Sequence, residues 1–440
     1  MRGLIDSMTP QSNFMVLAPV APGREDELRS LLASMNLEPG VVNPQNTVLP
    51  FGEIKNLHFA RIVILKDDTL GDIAAYGLRP VNYPIYLTFL GDVDGDSEDF
   101  LADLADRYSE GLRQLFSHCE GFSSDKDLLG WMKAHSVPAA AAYVNWVGRT
   151  VQQVDEEEAL RQALEKFIQQ NSDSLRSMQP RDVHKTLRGF VEEERRAGRL
   201  KLTDPAATPL GWELRNLLNL IGVPLLLLLA SPLLLVYLPI FILLLRRRET
   251  SDPVIAPRVN AAHADLLASL EDHDVTNQFS ALGSLKPGLF RLSTIAFVLW
   301  IIDYTARHLF NRGRLARVST IQFARWVFLD GGKRVIFTSN YDGSLDSYMD
   351  DFINKVGFGL NVVFSNGLGY PRTNWLVLDG AQDEQKFKNF LRRHQLPTQV
   401  WYNAHPGLTA LDKRRNMLIR EGFEASTMNY SEMQDWLALF

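Results

Sequence analysis

Arg61 and Arg325 close two copies of one short motif, Phe-Ala-Arg, each inside a β-branched and aromatic run. Side chains alternate across a strand, so Phe59 and Arg61 share one face, as do Phe323 and Arg325. A guanidinium on an aromatic face needs a partner. A structural carboxylate from the Asp-Gly pairs at Asp94 and Asp342 would serve, and so would an anionic ligand. Asp342, Asp346, Asp350 and Asp351 gather at the start of one helical pattern, where acids can bind a metal, relay protons or simply cap a helix. No histidine or further acid follows at ligand spacing, so no metal site is expected. Among the nine histidines, His58, His308, His394 and His405 stand nearest to candidate strand ends or helix ends. A neutral imidazole there could ligate a haem iron or transfer a proton, or it could be an ordinary packed side chain. The motifs GxSxG, HExxH, Walker A, GxGxxG and CxxC are absent from the chain.

The elements that must position these residues come from a chain of 440 residues, long enough for two or three cores. A net charge of -6 leaves no cationic surplus for phosphates, which argues against a nucleic-acid partner. One cysteine, Cys119, excludes an internal disulfide framework and cysteine-rich metal sites. The first residues, MRGLIDSMTPQSNF, lack the pattern of a signal peptide, which predicts that the bulk of the protein lies on the cytoplasmic side.

The chain repeats itself. LHFARIVIL (57–65) matches IQFARWVFL (321–329), and the Asp-Gly turns at Asp94 and Asp342 each precede an acidic helix. GLRQLFSHCEGF (111–122) matches GLNVVFSNGLGY (359–370), and His135-Ser-Val-Pro138 matches His394-Gln-Leu-Pro397. Phe59 to Phe323 is 264 residues, Asp94 to Asp342 is 248, and Tyr143 to Tyr402 is 259, so the order persists while loop lengths differ. Each copy reads βαββαβ, with Ser97 the expected cap of the second helix in the first copy. That order predicts an α+β protein of two tandem ferredoxin-like repeats, residues 1–175 and 261–440, whose sheets pair to bury their open faces.

Residues 176–260 separate the copies. A charged stretch, Arg181–Lys201, reads as a solvated helix. Leu217–Leu245 then holds no charged residue over 29 positions and ends in Arg246-Arg247-Arg248. Such a run predicts membrane anchoring, with membrane lipid as partner and the arginines toward anionic head groups. A single crossing would separate the two sheets, so the expectation is a re-entrant hairpin bending near Ser231-Pro232. Its arms, ~21 Å long, fall short of the ~30 Å hydrocarbon core. Ile295–Ile302 is apolar all round, which predicts burial on two sides. The second side could be the anchor, the membrane surface or an apolar ligand pocket.

The tandem order and the FAR strands resemble the dimeric α+β barrel group, which includes dye-decolorising peroxidases and chlorite-dismutase-like haem proteins. The resemblance covers most of the chain outside residues 150–260. It implies a barrel-like core with haem against the helices of the second copy, a histidine ligand (His308 or His405) and an arginine (Arg325) nearby. The sequence departs from the peroxidases at SNYDG, where Ser339 replaces the glycine of their GxxDG signature, and it lacks their His-Ile-Arg stretch.

Two functions follow as expectations. One is a membrane-surface, haem-dependent peroxidase-like oxidoreductase acting on lipid or apolar substrates. The other is a non-catalytic scaffold that binds lipid or a partner. A site belongs in the second copy, where aligned pairs turn aromatic or polar: Ala142 to Trp401, Val144 to Asn403, Trp146 to His405, Leu90 to Ser339 and Gly91 to Asn340. Arg325, Asn340, Asp342 and His405 are its expected catalytic residues, while the aromatics that cluster in the second copy, Trp326, Tyr341, Trp375, Trp401 and Tyr402, read as the packing of a large core.

Overall fold

A computed structural model describes residues 7–425 and 428–440. The architecture is mixed α+β, built on antiparallel sheets. The principal strands are β1 (Gln11–Pro19), β2 (Leu57–Leu65), β3 (Tyr86–Asp94), β4 (Ala141–Val144), β5 (Thr276–Ser284), β6 (Ile321–Leu329), β7 (Arg334–Asp342) and β8 (Val400–Asn403). They form two four-stranded sheets, ordered β1-β3-β2-β8 and β5-β7-β6-β4, and no closed barrel exists among the described residues. Helices α1 (Glu25–Ser34), α2 (Ser97–Arg107), α3 (Ser109–Phe116) and α4 (Leu128–Ala134) belong to the first half of the chain. They cover the first sheet through a core that includes Leu28, Ile62, Phe89, Phe100 and Leu112. Asp96, rather than the expected Ser97, caps α2 by accepting the Glu98 amide.

The short fourth strands are exchanged. β4, from the first half, pairs with β6, and β8, from the second half, pairs with β2. The route is the same in both halves. Val137 N donates to Met15 O at 2.9 Å, and Leu396 N donates to Ser280 O at 2.7 Å, so each connector first covers the edge of its own sheet. Pro138 and Pro397 follow, where a missing N–H ends the pairing. The chain then crosses, with Ala140 N donating to Trp326 O at 2.7 Å and Gln399 N to Ile62 O at 3.1 Å.

Two arginines fill the space this exchange encloses. Arg61 donates to Phe279 O at 2.7 Å, Ser280 Oγ at 2.9 Å, Ser339 O at 3.0 Å and Asn340 Oδ1. Arg325 donates to Phe14 O at 2.8 Å, Gly91 O at 3.0 Å and Asp92 Oδ1. Each guanidinium therefore reaches from its own sheet to the matching carbonyls of the other. The strand registers set Gly91 opposite Phe14 and Ser339 opposite Phe279, which aligns Gly91 with Ser339 and Asp92 with Asn340. The sequence pairing of Leu90 with Ser339 and of Gly91 with Asn340 is thus one residue out of step. The carboxylate partner is Asp92, not an Asp-Gly turn. Beyond the arginines the sheets meet through Met15, Val63, Leu90, Val327 and Ile336.

The apolar segment is one continuous helix, α7 (Leu210–Ser251), and the expected turn at Ser231-Pro232 is not formed. Three prolines lie inside it. Each removes the N–H that would bond the carbonyl four residues earlier. Two of those freed carbonyls are taken up, Leu220 O by Tyr304 Oη at 3.2 Å and Leu228 O by Ser231 Oγ at 2.7 Å, so the helix continues. α8 (Leu289–His308) runs antiparallel beside it, with Asn219 Oδ1 2.8 Å from His308 Nε2 near one end and the Phe241 and Phe290 rings 5.4 Å apart near the other. Ile295 and Leu299 of α8 face the second sheet's core. The second side of that apolar helix is therefore α7. α9 (Leu345–Phe364) and α10 (Glu384–His394) complete the cover of the second sheet.

Four further helices, α5 (Val151–Gln170), α6 (Pro180–Arg196), α11 (Ala410–Glu424) and α12 (Tyr430–Leu437), share a core of Leu160, Leu164, Leu187, Val191, Ile419, Phe423 and Trp436. α6 covers most of the stretch read as solvated. Its Leu187 and Val191 are buried, so only its charged face meets solvent.

Removing either arginine leaves buried acceptors without a donor. Arg325→Met strands Asp92 directly, whereas Arg61→Met leaves the Arg325–Asp92 pair in place. We expect Arg325→Met to cost about 3–5 kcal/mol and Arg61→Met less. Urea unfolding of the two variants checks this, and a neutral Arg325→Met would refute the bracing role.

Candidate functional site

α5 and α11 pack on each other where the two sheets end. Their first turns are fixed from below by the Asp-Gly turns, in which Gly95 and Gly343 adopt φ of +82° and +84°. Asp94 accepts the Val151 amide at 2.9 Å, and Asp342 accepts the Ala410 amide at 2.7 Å. Because β4 and β8 are exchanged, each aspartate caps a helix that follows a strand of the other sheet. Thr150 and Thr409 complete capping boxes with Gln153 and Asp412.

Polar groups converge between those helix starts. His58 Nε2 lies 2.8 Å from Asp94 Oδ1, and in the matching position Gln322 donates to Asp342 Oδ1 at 2.7 Å. Lys413 donates to Gln322 Oε1 at 2.6 Å and sits 5.2 Å over the Phe59 ring. Arg149 holds Glu157 at 2.6 Å. His58, Gln322, Lys413, Arg149 and Glu157, with Asn145 and Trp146, line a cavity of about 50 Å³. On its outer side lies an open groove of about 480 Å³ walled by Asp155, Glu158, Arg161, Asp412, Arg415 and His405. His405 Nδ1 is 3.0 Å from Asp155 Oδ1, its Nε2 has no partner among the described residues, and its ring is 6.1 Å from that of His58.

Burial sets the protonation of this cluster. It lowers His405 to about 4, helped by the Lys413 charge and opposed by Asp155. It lowers Lys413 to about 8 against the attraction of Asp342. It raises Glu157 to about 7 in spite of Arg149 and Arg420. A neutral imidazole and a desolvated ammonium therefore stand close together, a pairing suited to holding an anion or exchanging a proton.

The residues expected to form one site are dispersed. Arg325 and Asn340 are engaged between the sheets, and Asn340 Nδ2 donates to Asp92 Oδ2 at 3.2 Å. Asp342 lies beneath the cleft and His405 at its groove. His308 bonds Asn219 of α7. His394 Nδ1 lies 2.8 Å from Phe390 O, as His135 Nδ1 does from Trp131 O, so the two matched histidines close their helices. Asp350 and Asp351 pair with Lys388 and Lys355, and no group of metal-ligating side chains occurs among the described residues. The aromatics pack in different places: Trp401 on Phe59, Tyr341 on Tyr348, Tyr402 on Phe51, Trp326 beside Phe337, and Trp375 under Arg246.

Haem, which the resemblance implies, would lie between the second sheet and its helices. That space is a void of about 40 Å³ lined by Ile295, Trp326, Phe337, Phe364, Phe390 and His394. Ligand pockets run from ~300 Å³ upward. The residues there do not fit the group. No family model, curated protein or solved structure matches the chain.

Lys413, Glu157, Arg149 and Asp155 escaped the sequence reading, because a lone charge on a helical pattern reads as solvated. One signal was available. The 259-residue spacing sets Lys413 against buried Val154, a charge at an apolar position.

Two acid-range effects oppose each other. His405, lowered from 6.5 to about 4, is protonated earlier in the unfolded chain, so the stability it contributes is lost as pH falls through that window. Glu157, raised from 4.5 to about 7, takes up its proton earlier in the folded state and adds stability as pH falls. Glu157→Gln should therefore lose stability more steeply on acidification than the parent, and His405→Asn less steeply. Urea midpoints across this pH range test both, and unchanged slopes would refute the assignment.

Proposed function

We propose that this is a monotopic membrane-surface protein, a tandem ferredoxin-like scaffold held against the bilayer by α7 and the outward side of α8. One observation carries the reading. The most apolar stretch of α7 has no buried residue, yet the helix is fastened to the body near both ends. Asn219 meets His308 at one end. At the other, Glu249 accepts Thr373 Oγ1, the Trp375 amide and the Leu376 amide at 2.7–3.0 Å. Leu225, Leu228, Leu229, Leu233, Leu235, Val236 and Leu243 are all more than half exposed. α7 and α8 are each long and apolar enough to cross a membrane.

A crossing perpendicular to the bilayer does not suit this arrangement. The strand exchange keeps both halves of the chain together, and α8, which lies beside α7, packs against β4. A helix lying along the surface satisfies every contact. Exposed arginines mark both ends of the apolar strip, Arg215, Arg307, Arg312 and Arg314 at one and Arg247 and Arg248 at the other. They suit anionic head groups on a cytoplasmic leaflet. The scaffold reading, with lipid or a partner bound and no chemistry performed, is favoured over a haem oxidoreductase. Arg325, Asn340 and Asp342 brace the fold, and the interior cavities are small.

Charge placed on the strip should release the protein. Leu229→Glu together with Leu233→Glu is expected to abolish flotation with vesicles containing anionic lipid while the circular dichroism spectrum is retained. Undiminished flotation would refute the anchor. In sealed vesicles, protease should reach sites in residues 7–209 and 252–440 together or not at all, and cleavage confined to one half would establish a crossing.

A further inference from the structure

Lys413 makes no direct ion pair among the described residues, and Asp342, Asp274 and Asp155 attract it only from farther away. Its only hydrogen-bond acceptor among the described residues is the neutral Gln322 amide oxygen at 2.6 Å. Leaving a desolvated ammonium without a direct counter-charge is costly. Two more residues that line the cavity, Trp146 and Asn145, each carry a buried polar atom that is unmatched among the described residues. Trp146 Nε1–H has no acceptor among the described residues. Asn145, 5% exposed, has no donor for its Oδ1 among the described residues. Its amide orientation is fixed, because Nδ2 donates to Ile321 O at 2.6 Å. The remaining charges of the wall are matched internally: Glu157 to Arg149 at 2.6 Å, and His58 to Asp94 at 2.8 Å.

The cavity thus offers a cation, one free N–H and one free acceptor. Water could meet the last two but not the charge. An oxyanion bearing one hydroxyl meets all three, with two oxygens accepting from Lys413 and Trp146 and the hydroxyl donating to Asn145. The cavity's 50 Å³ holds roughly three to five water-sized positions at ~10–15 Å³ each, which is the size of a four-atom ion.

We propose that the cleft between α5 and α11 binds a small hydroxyl-bearing oxyanion of the bicarbonate type, held by Lys413, Trp146 and Asn145. The site exists once per chain, because Val154 occupies the place of Lys413 in the first half. It is independent of the membrane strip and survives if that reading fails.

The test uses the full-length protein in detergent, with sodium bicarbonate, nitrate and chloride compared at constant ionic strength and neutral pH. Bicarbonate should raise the thermal midpoint saturably, nitrate less and chloride not at all. Trp146→Phe should weaken half-saturation about ten-fold, the loss of one hydrogen bond to a charged group. Lys413→Met should abolish the response and, in anion-free buffer, raise the midpoint, because it removes a desolvated charge that has no direct ion pair. Carbon-13 bicarbonate line broadening gives a second readout that does not depend on unfolding. A parent protein that ignores bicarbonate in both measurements overturns the proposal. So does a Lys413→Met protein that still responds, or one less stable than the parent without anion. Equal responses to nitrate and bicarbonate overturn the role of Asn145 and with it the hydroxyl-bearing class.

Discussion

The reciprocal reach of Arg61 and Arg325 is the interaction on which the rest of the structure depends. Two sheets packed face to face through apolar side chains alone could slide or separate. Here each sheet inserts a long, planar donor that is satisfied only by carbonyls and side chains of the other. Burial opposes both charges, and at Arg61 the nearby Arg325 adds to that opposition. The net gain in stability from such a buried group can be small, but its geometric demand is strict. A shift of one residue in either strand would leave the donors facing the wrong atoms.

That demand is also met differently at the two matching positions. Asp92 and Asn340 occupy matching positions and touch each other. Two aspartates at that separation would repel or have to share a proton. An aspartate facing an asparagine instead makes a hydrogen bond, with one arginine neutralised by charge and the other held by an amide oxygen. The same contrast recurs farther along, where His58 matches Gln322, Trp146 matches His405 and Val154 matches Lys413. His58, Gln322, Trp146, Val154 and Lys413 line the cavity between the halves, so these differences give its two walls different chemistry.

The strand exchange connects this interior to the cleft and to α7. β4 and β8 carry the chain across to the other sheet, yet the helices that follow them are capped from the sheet the chain has just left, α5 by Asp94 and α11 by Asp342. The exchange also places α7 on one undivided body. An apolar helix of 42 residues, about 63 Å long at ~1.5 Å per residue, would ordinarily read as a span. Its contacts with α8 and with Thr373–Leu376 make it an edge of the body, and its bare face is the side those contacts leave uncovered.

By itself the sequence determined the α+β class, the two matching strands that carry Phe-Ala-Arg, and an apolar segment too long and uncharged for an ordinary core. These are properties of local pattern, since periodicity, turn residues and hydropathy are written along the chain. It also showed that Arg61 and Arg325 needed partners and that an aspartate could serve one of them. Which aspartate, which sheet and which cavity were decided only by the tertiary structure. Arg325 finds Asp92 at 233 residues' separation, and Lys413 faces Gln322 at 91. The prolines of α7 show the same division. Their positions predicted a break, because a proline removes a local hydrogen bond. The helix persists because Tyr304, on another helix, and Ser231, within the same turn, take up carbonyls that the local pattern leaves free. Burial, charge and unmatched donors depend on what the fold brings together across hundreds of residues, and no local pattern records that.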